Sequence, residues 1–391
     1  MSPRIAVVAG TPGLVRAARE LGIEVVLAAA PAAGGEPPDV VVEPADHDAL
    51  VAALAPLHRR APFARVLSLT ERGLLPAAVA ARELGVAGNS VETVGLLMDK
   101  VAMRERLAAT AGQRVLARRV RDCAGVEALR VEAGGVAVVK PVDGMGSACV
   151  HRVADRADGG AAWEAIVRAG YDEAIVEEFL DGPEFSVEGF SHDGRHAILA
   201  ITDKFVLDNH VEIGHAMPAR VSQAQREAIV AATVEFLTIV GLREGPSHTE
   251  LKLTSRGPRI VEGHNRIGGD KIRKLLLRAY GIDVVRATVA VALGLQAPPA
   301  PRPARGGAAI RFLAPAPGIV RAVALPALPG DAELELAIGV GDRIGAVLRS
   351  EDRSGYVLCS GADRDAAVAE TRRLADAIRI DVEQERAVPC A

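Results

Sequence analysis

Apolar and polar residues alternate along the first ninety residues with two different periods. The short apolar runs IAVVAG, IEVVLAAA and RVLSLT are typical of buried strands, whereas LVRAARELG and residues 74–84 have the spacing of amphipathic helices. Strands that alternate with helices predict a parallel, doubly wound sheet. We therefore expect an N-terminal α/β domain over residues 1–95. Its first turn, Gly10 to Gly13, lacks the G-x-G-x-x-G spacing, which favours a structural connection over a dinucleotide fingerprint.

Polar and apolar residues alternate with a period of two between His248 and Asp270. Two alternating stretches, 249–254 and 259–264, flank the turn-forming sequence Ser-Arg-Gly-Pro and predict a β-hairpin. One face of each strand should carry most of the polar side chains. The residues expected on these faces are Glu250, Lys252 and Thr254 of the first strand, and Ile260, Glu262 and His264 of the second.

The length of the hairpin turn decides whether two glutamates meet. If the loop is Ser255–Gly257, Glu250 lies opposite Glu262, whereas a two-residue loop would place them on opposite faces. Like charges directly opposite in a ladder are destabilising, so the first register needs a cation between them. Carboxylates that share a site with phosphate oxygens favour Mg²⁺ or Mn²⁺. The alternative is an amphipathic surface hairpin whose glutamates both face water.

The middle of the chain continues with further helices and strands. Asn89 and Glu92 form a capping-box pattern that opens a helical region containing Asp99 and Lys100 and ending near Gly112. The runs GVAVVKPV, ACVHRV, AIVEEFL, EFSVEGF and HAILAITDKF then predict strands, and VEIGHAMP is interpreted as a loop. Further helices are predicted over residues 223–240, 271–280 and 283–293.

Three features of this region are candidates for chemistry. Lys140 precedes the glycine-containing connection Asp143–Ser147, where backbone N–H groups could approach a phosphate, although a plain hairpin turn is the alternative. Glu184 lies on a polar strand face that could serve a ribose or a metal, or could simply face solvent. Glu212 and His215 are candidate substrate contacts, although a lone histidine is usually structural.

The proline-rich stretch 295–307 marks a domain boundary. We expect a central domain over residues 96–305, with a lid subdomain at about 115–180, and a C-terminal β-rich unit over 306–391. Short strands such as AAIRFLAP and ELELAIGV and an amphipathic helix over residues 363–380 are predicted within this last unit.

Composition excludes several classes of partner. The 391 residues are 49% apolar and 25% charged, and the net charge of −4 gives no reason to expect nucleic acid or an anionic membrane as a partner. Neither a signal pattern nor an apolar stretch long enough to cross a membrane is present. The four cysteines lack metal or disulfide spacing, so we expect a cytoplasmic protein.

Lysine is scarce and confined to the middle of the chain. Of 46 basic residues only six are lysine. An ammonium is a compact point charge that a guanidinium fork does not replace, so we interpret these positions as places where such a charge is required. They are Lys100, Lys140, Lys204, Lys252, Lys271 and Lys274.

Taken together, these motifs resemble the ATP-grasp superfamily and, within it, the carboxylate–amine ligases of the L-amino-acid ligase type. The resemblance covers nearly the whole chain and rests on the order of Asp99-Lys100, VVKP with its glycine loop, VEEFLDGPEFSVEGF, VEIGH, TELKLT and VEGHNRIGGD. It implies a mixed α/β and α+β ATP-grasp architecture, with a doubly wound N-terminal domain, central subdomains and a small β-rich C-terminal unit.

The resemblance also implies roles for individual positions. Lys100 and Lys140 would contact the phosphates of ATP, and Glu184 would bind its ribose. Arg266 would lie against the transferred phosphate. The remaining implied positions are the phosphate loop Gly144, Met145, Gly146 and Ser147, the adenine hinge Glu177, Glu178, Phe179 and Leu180, the Mg²⁺ or Mn²⁺ ligands Glu250 and Glu262, and the substrate contacts Glu212, His215, Gly268 and Gly269.

One position departs from the superfamily pattern. The usual Glu-x-Asn-x-Arg is here Glu262-Gly263-His264-Asn265-Arg266, so histidine occupies the place of an asparagine metal ligand. Either His264 ligates a second metal, or Asn265 reaches it, or that ligand is missing. Imidazole is a poorer partner than oxygen for Mg²⁺.

The implied reaction is ATP-dependent amide formation through an acyl phosphate, with release of ADP and phosphate. The substrates would be a small-molecule carboxylate and an amine, at least one of them an amino acid, and a homodimer is possible. The alternatives are an ATP-grasp carboxylase or formyltransferase, and an ATP-binding protein without catalysis.

Overall fold

The computed structural model describes residues 2–31, 37–142, 149–207, 209 and 211–384. Its N-terminal part alternates strands and helices as the periodicity predicts. The elements are β1 (Arg4–Val8), α1 (Pro12–Glu20), β2 (Glu24–Ala29), β3 (Val40–Val41), α2 (His47–Arg60), β4 (Arg65–Leu67) and α3 (Glu71–Glu83).

The first sheet is parallel throughout, in the order β3-β2-β1-β4, and this confirms the predicted doubly wound arrangement. Its strands are apolar on both faces because helices cover both sides. Val8 faces Leu50 and Leu54 of α2 in one core cluster, whereas Ile5 and Val7 lie in a second cluster with α1. Helix α3 begins at the carboxyl edge of this sheet, and there it contributes a glutamate to the candidate site.

A second layer follows over residues 91–178. Its elements are α4 (Val91–Met98), α5 (Lys100–Ala108), a 3₁₀ turn (Ala111–Gln113), β5 (Ala117–Val120), α6 (Cys123–Glu132), β6 (Ala137–Pro141), β7 (His151–Val153), α7 (Arg156–Arg168) and β8 (Ala174–Glu178). The strands form a sheet in the order β5-β8-β6-β7. Charged residues interrupt the apolar positions of β5, which reads Ala-Arg-Arg-Val, and of α6, which is why the sequence pattern did not reveal these two elements.

The predicted capping box at the start of α4 is wrong. Ser90 caps the helix, since its side chain accepts a hydrogen bond from the backbone N–H of Thr93. Asn89 instead accepts from Arg243 N and Glu244 N and donates to Glu244 O, so it joins α4 to the central sheet. The single predicted helical region is divided by Asp99, which ends α4 and caps α5.

The central part of the chain contains the longest strands. Its elements are β9 (Glu184–His192), β10 (Arg195–Val206), β11 (Glu212–Met217), α8 (Gln223–Ile239), β12 (Gly245–Thr254), β13 (Gly257–His264), α9 (Ile272–Tyr280) and α10 (Val284–Ala292). The stretch VEIGHAMP, interpreted above as a loop, is the strand β11. It pairs on both sides, with β10 and with a strand of the C-terminal part. Hydrogen bonding in these two ladders stabilises a strand in this stretch although glycine and proline have low strand propensity.

The C-terminal part comprises β14 (Gly307–Phe312), β15 (Gly318–Ala324), β16 (Glu333–Leu336), β17 (Arg343–Ile344), a 3₁₀ turn (Ser350–Asp352), β18 (Gly355–Gly361), α11 (Arg364–Ala377) and β19 (Arg379–Glu383). Strand β14 pairs with β11, so one sheet runs through both parts in the order β13-β12-β9-β10-β11-β14-β18-β16. A small sheet, β17-β15-β19, lies beside it. The continuous sheet carries C-terminal residues towards the centre of the molecule.

Two properties of the described residues bear on the expectations from composition. No helix among them is long and apolar enough to cross a membrane. Cys123, Cys149 and Cys359 carry free thiols.

Candidate active site

The hairpin of β12 and β13 brings Glu250 and Glu262 face to face, as predicted, but by a different register. The turn is Ser255–Arg256, two residues long, and near it Leu251 pairs with Ile260. The register then shifts by one residue, so that Val261 is the extra residue of a β-bulge and Glu250 pairs with Glu262. The expected three-residue loop is therefore wrong, and the bulge restores the pairing that the loop would have given.

The bulge also separates two side chains that the alternation had placed together. Ile260 pairs with Leu251 and is fully buried in the core beneath the sheet, whereas Glu262 lies on the opposite face with Glu250. A one-residue shift exchanges the faces of a strand. Arg104, which is buried on α5, donates a hydrogen bond to the carbonyl of Val261 (Nη2–O 3.0 Å) and another to Ile260 O. Its guanidinium thereby satisfies the backbone groups that the bulge exposes.

Lys204 supplies positive charge beside the first glutamate. Its Nζ atom lies 2.6 Å from Glu184, 3.1 Å from Glu212 and 2.8 Å from Glu250. Burial alone would lower the pKa of Lys204, but the three carboxylates raise it well above its ordinary value. The scarcity of lysine was the sequence signal that could have identified this residue, since the motifs did not.

The second glutamate has different partners. Lys100 Nζ lies 3.4 Å from Glu262, and His264 Nε2 lies 3.3 Å from it. Burial alone would raise the pKa values of Glu250 and Glu262, yet Lys204 lowers the first and Lys100 the second below the usual range. Both carboxylates are therefore ionised, which is the state in which they can bind a cation.

A buried ion cluster supports the opposite wall. Lys140 Nζ lies 2.6 Å from Glu177, and Arg104 contacts the same carboxylate. Burial alone would raise the pKa of Glu177, but these two cations lower it to about 2. The sequence predicted Lys140 and Glu177 at the site, but it gave no sign of Arg104, one arginine among forty.

The predicted nucleotide residues line one cavity. It lies between the small sheet of β5 to β8 and the central sheet. The predicted residues on its wall are Lys100, Lys140, Glu177, Glu178, Phe179, Leu180, Glu184, Glu250 and Glu262. The Phe179 ring has Arg152 at 5.1 Å and Lys252 at 5.4 Å from its centroid. The predicted phosphate loop Gly144–Ser147 lies outside the described residues.

A second cavity adjoins the first. Glu212, Glu250 and Glu262 line both cavities and therefore form a shared wall. Of the other predicted substrate contacts, His215, Arg266 and Gly269 line this second cavity. After the roles predicted for the residues that line them, we call the two spaces the nucleotide cavity and the substrate cavity.

Gly268 lies apart from the substrate cavity. A Cβ atom at this position would come within 2.9 Å of His248 Nδ1 and 3.1 Å of Glu188, so the glycine permits close packing on this buried pair. His248 Nδ1 lies 2.9 Å from Glu188, and its Nε2 lies 3.2 Å from Glu250. Burial alone would lower the pKa of His248, but Glu188 and Glu250 raise it to about 9.

Arg266 is held by a residue from the N-terminal part. Glu71, the first residue of α3, accepts from Arg266 Nε at 2.8 Å, and its other oxygen lies 3.0 Å from His264 Nδ1. Burial alone would raise the pKa of Glu71, but His264 and Arg266 lower it to about 2. The sequence gave no sign of this glutamate, because nothing local distinguishes it from other surface residues at helix starts.

The C-terminal part closes the substrate cavity. Arg353 donates to both oxygens of Asp270, with distances of 2.7 and 2.6 Å, and its guanidinium stacks on Phe312 at 3.7 Å. His215 Nε2 lies 3.1 Å from Asp270 Oδ2. Arg353 was not predicted, since it lies 83 residues after Asp270, the end of the nearest motif.

The donor set on the shared wall fits a divalent cation that takes further ligands from phosphate. Two ionised carboxylates face each other there, which is the oxygen donor set that Mg²⁺ prefers. The described residues contain no group of three acidic, histidine or cysteine side chains placed to hold a metal on their own. Asn265 lines a different cavity, near Phe190, and its buried Oδ1 atom has no hydrogen-bond partner among the described residues. His264 faces both Glu71 and Glu262, so of the two candidate ligands only His264 lies beside the shared wall.

Comparisons with known families match three parts of the chain. Residues 15–88 match the ATP-grasp N-terminal domain, residues 135–273 the ATP-grasp domain, and residues 311–383 the L-amino acid ligase C-terminal domain 2. The third match lies in the segment that carries Arg353.

Individual relatives and structures are similar to parts or all of the chain. Carnosine synthase 1 of Mus musculus is 34% identical over 135 residues, which are 34% of this chain and 16% of that protein. Alanine–anticapsin ligase of Bacillus subtilis is 25% identical over 237 residues, 54% of this chain and 50% of the relative. The crystal structure of an L-amino acid ligase from Bacillus licheniformis has a TM-score of 0.81 at 23% identity and covers 98% of this chain and 99% of its own, which shows the shared fold.

Proposed function

We propose that this chain, which belongs to the ATP-grasp superfamily and there to the ligases of the L-amino-acid ligase type, joins the carboxylate of one small molecule to the amine of another. At least one substrate would be an amino acid, as the names of carnosine synthase and alanine–anticapsin ligase indicate for those relatives. The observation that carries this proposal is the wall of ionised glutamates between two cavities.

The shared wall suits phosphoryl transfer from one cavity to the other. ATP would lie in the nucleotide cavity with its terminal phosphate at Glu250 and Glu262, and the carboxylate substrate would approach the same wall from the substrate cavity. Mg²⁺ bound by the two glutamates would neutralise the phosphate oxygens. Lys100 and Lys140, which line the nucleotide cavity, would add two fixed positive charges near them.

The proposed chemistry has two steps. A substrate carboxylate oxygen attacks the γ-phosphorus, the bond to the β-phosphate oxygen breaks, and ADP leaves with its electron pair. The amine nitrogen then attacks the carbonyl carbon of the acyl phosphate, inorganic phosphate leaves, and the nitrogen loses a proton to the medium. Arg266 lines the substrate cavity and would stabilise negative charge on the transferred phosphate.

Glu71 would position this arginine. It binds Arg266 through Nε and Nη2, at 2.8 and 2.7 Å. Arg266 Nη1 donates to the carbonyl of Ile267 at 2.9 Å, so the guanidinium plane is fixed by contacts on two sides. A fixed guanidinium needs little reorganisation when charge develops beside it.

A product analysis tests the proposal. Purified protein is incubated with ATP, Mg²⁺ and pairs of amino acids, and ADP, AMP, phosphate and new amides are measured by chromatography and mass spectrometry. We expect one ADP and one phosphate for each amide. AMP with pyrophosphate would refute the acyl-phosphate route. ATP binding without any product over the full set of pairs would support a binding protein instead.

A carboxylase is the second candidate, and the same assay addresses it. Bicarbonate-dependent ADP release in the absence of an amine would favour it. The match of residues 311–383 to the L-amino acid ligase C-terminal domain favours the amide-forming reaction. The Glu262→Gln variant is the matched control in both assays, because it removes one wall charge and keeps the shape of the side chain.

A further inference from the structure

We infer that Arg104 is a positioning residue that ties the wall of the nucleotide cavity at Glu177 to the predicted metal ligand Glu262, so that nucleotide binding and cation binding depend on one guanidinium. This role rests on the proposed function, because it concerns the same nucleotide and the same cation. Arg104, Glu177 and Glu262 all line the nucleotide cavity.

The guanidinium of Arg104 is divided between two parts of the molecule. Nε donates to the carboxylate of Glu177 on β8. Nη1 and Nη2 donate to the carbonyls of Ile260 and Val261 on β13, the second at 3.0 Å. Each of its three nitrogens thus donates within the protein, and the residue is only 3% exposed. A planar fork of donors fixes the relative position of its acceptors, which a single ammonium does not.

The carbonyls held by Arg104 belong to the bulge that sets the direction of Glu262. Ile260 faces the core beneath the sheet, and Val261 is the extra residue. Because of that extra residue, Glu262 faces Glu250 on the opposite side of the sheet. Without the bulge the strand would shift by one residue, and Glu262 would turn towards the core. Arg104 therefore acts on the direction of Glu262 through the backbone.

On its other side Arg104 holds the first residue of the predicted adenine hinge. Glu177 also contacts Lys140, whose Nζ atom lies 2.6 Å from the carboxylate. A phosphate that draws Lys140 away from this pair would leave Glu177 with Arg104, so the buried carboxylate would stay paired. The nucleotide side and the bulge thereby share one guanidinium.

Helix α5 connects the same two parts through a second side chain. Lys100 and Arg104 lie one turn apart on one face of the helix, and Lys100 Nζ lies 3.4 Å from Glu262. The start of the helix is tied to the small sheet, because Asp99, its cap, lies 3.0 Å from Arg119 Nη2 of β5. Through these two side chains the helix reaches both the backbone and a carboxylate at the end of β13.

Mn²⁺ binding tests the positioning role independently of turnover. Mn²⁺ is titrated into the protein saturated with a non-hydrolysable ATP analogue, and free Mn²⁺ is followed by electron paramagnetic resonance, with the analogue alone as the reference. We expect Arg104→Met to weaken Mn²⁺ binding by about ten-fold or more, the range for loss of a residue that orients a metal ligand. Arg104→Lys should also weaken it, because an ammonium lacks the planar fork that reaches the three acceptors.

The Kd of the analogue itself is measured by calorimetry with the same variants. It should rise several-fold in both, because Glu177 loses a fixed partner at the nucleotide wall. Weakened analogue binding with unchanged Mn²⁺ affinity would place Arg104 at the nucleotide alone and overturn its link to Glu262.

Arg106→Met is the matched control. Arg106 lies on the same helix, is exposed and pairs with Glu92, so its loss should leave both affinities unchanged. Arg104→Lys keeps the buried positive charge, so it decides the question if Arg104→Met does not fold. A lowered melting temperature with unchanged Mn²⁺ affinity would show a merely structural role and overturn the inference. Failure of the unaltered protein to bind Mn²⁺ would overturn it as well.

ADP release separates the two proposals. Loss of Mn²⁺ affinity in the Arg104 variants, without ADP from any amino-acid pair in the unaltered protein, would refute the ligase function and leave the positioning role in place. ADP release by the unaltered protein, with Mn²⁺ affinity unchanged in the Arg104 variants, would refute the positioning role and leave the ligase function in place.

Discussion

The nucleotide cavity and the substrate cavity share one wall, but they are assembled from different parts of the chain. The described residues of the nucleotide cavity lie between Lys100 and Glu262, and most of them belong to motifs that are visible in the sequence. The substrate cavity adds residues from the C-terminal part, Ser350 to Arg353, and its Arg266 is held by Glu71 from the N-terminal part. The proposed nucleotide site is thus formed by the central part, whereas the proposed substrate site requires distant segments to meet.

The charge arrangement also differs between the two cavities. Three lysines, Lys100, Lys140 and Lys252, line the nucleotide cavity together with two arginines, whereas Lys204 is the lysine that lines the substrate cavity among the described residues. In the substrate cavity two arginines are fixed by carboxylates: Arg266 directs two nitrogens to one oxygen of Glu71, and Arg353 binds both oxygens of Asp270. A compact ammonium suits a phosphate whose position changes during the reaction, whereas a planar guanidinium fixes geometry.

The largest effect is expected at the shared wall. Glu262→Gln removes one of the two facing carboxylates, so charge at the transferred phosphate is poorly neutralised and turnover should fall by about 10³-fold or more. The measurement is the rate of ADP release at saturating ATP. The melting temperature serves as a control for folding. A variant with near-normal turnover would contradict the role of the wall in both cavities.

Lys204 should matter for stability as well as for the site. Lys204→Met leaves Glu184, Glu212 and Glu250 without their shared cation, and the uncompensated buried charge should lower the free energy of unfolding by about 3–5 kcal/mol. Denaturant unfolding in the absence of ATP and Mg²⁺ measures this free energy of unfolding. Lys252→Met is the matched control, since that lysine lies 4.0 Å from Glu184 and is less buried. Equal losses in both variants would show that Lys204 has no special role.

Arg266 should separate catalysis from nucleotide binding. It lines the substrate cavity and not the nucleotide cavity, so Arg266→Ala should lower kcat by about 10²-fold while the Kd for ATP stays within a few-fold. Single-turnover kinetics measure the rate of the chemical step, and ATP titration measures the Kd. Glu71→Gln should reproduce part of the loss, about ten-fold, because it loosens the same guanidinium. Weakened ATP binding with unchanged kcat would place Arg266 in the other cavity.

The smallest effect is a pH dependence at the buried pair beneath the wall. The pKa of His248 is raised to about 9 in the folded chain, above its ordinary value of 6.5. Protonated His248 therefore contributes its full share to the free energy of unfolding below about pH 6.5. This contribution is lost as the pH rises through about 9, and the loss is about 3 kcal/mol at most. The free energy of unfolding is measured at pH 6 and pH 10 for the unaltered protein and for the His248→Gln variant. The same pH dependence in the variant would assign the loss to other groups.

Much of the fold follows from local sequence, and most residues of the nucleotide cavity were predicted from the family resemblance of the motifs that contain them. The parallel N-terminal sheet was predicted because its buried strands are continuous apolar runs and its helices are amphipathic. Elements whose apolar positions are interrupted by charged residues, such as β5 and α6, gave no such signal. Strand β11 was interpreted as a loop, and one of the two ladders that hold it is with the distant strand β14. The division at residue 305 and the other domain boundaries stay predictions, as do the homodimer and the cytoplasmic location.

The hairpin shows where sequence reasoning ends. The sequence alone determined that two glutamates lie near the turn of one hairpin, since their types and spacing are local. Whether they face each other depends on the bulge at Val261, and this bulge is supported by Arg104 from a helix more than 150 residues away. Tertiary structure likewise decided that Glu71 holds Arg266 and that Arg353 holds Asp270. The physical reason is that periodicity is set by neighbouring residues, whereas register and ion pairing are set by whichever side chains the packed elements bring within hydrogen-bonding distance.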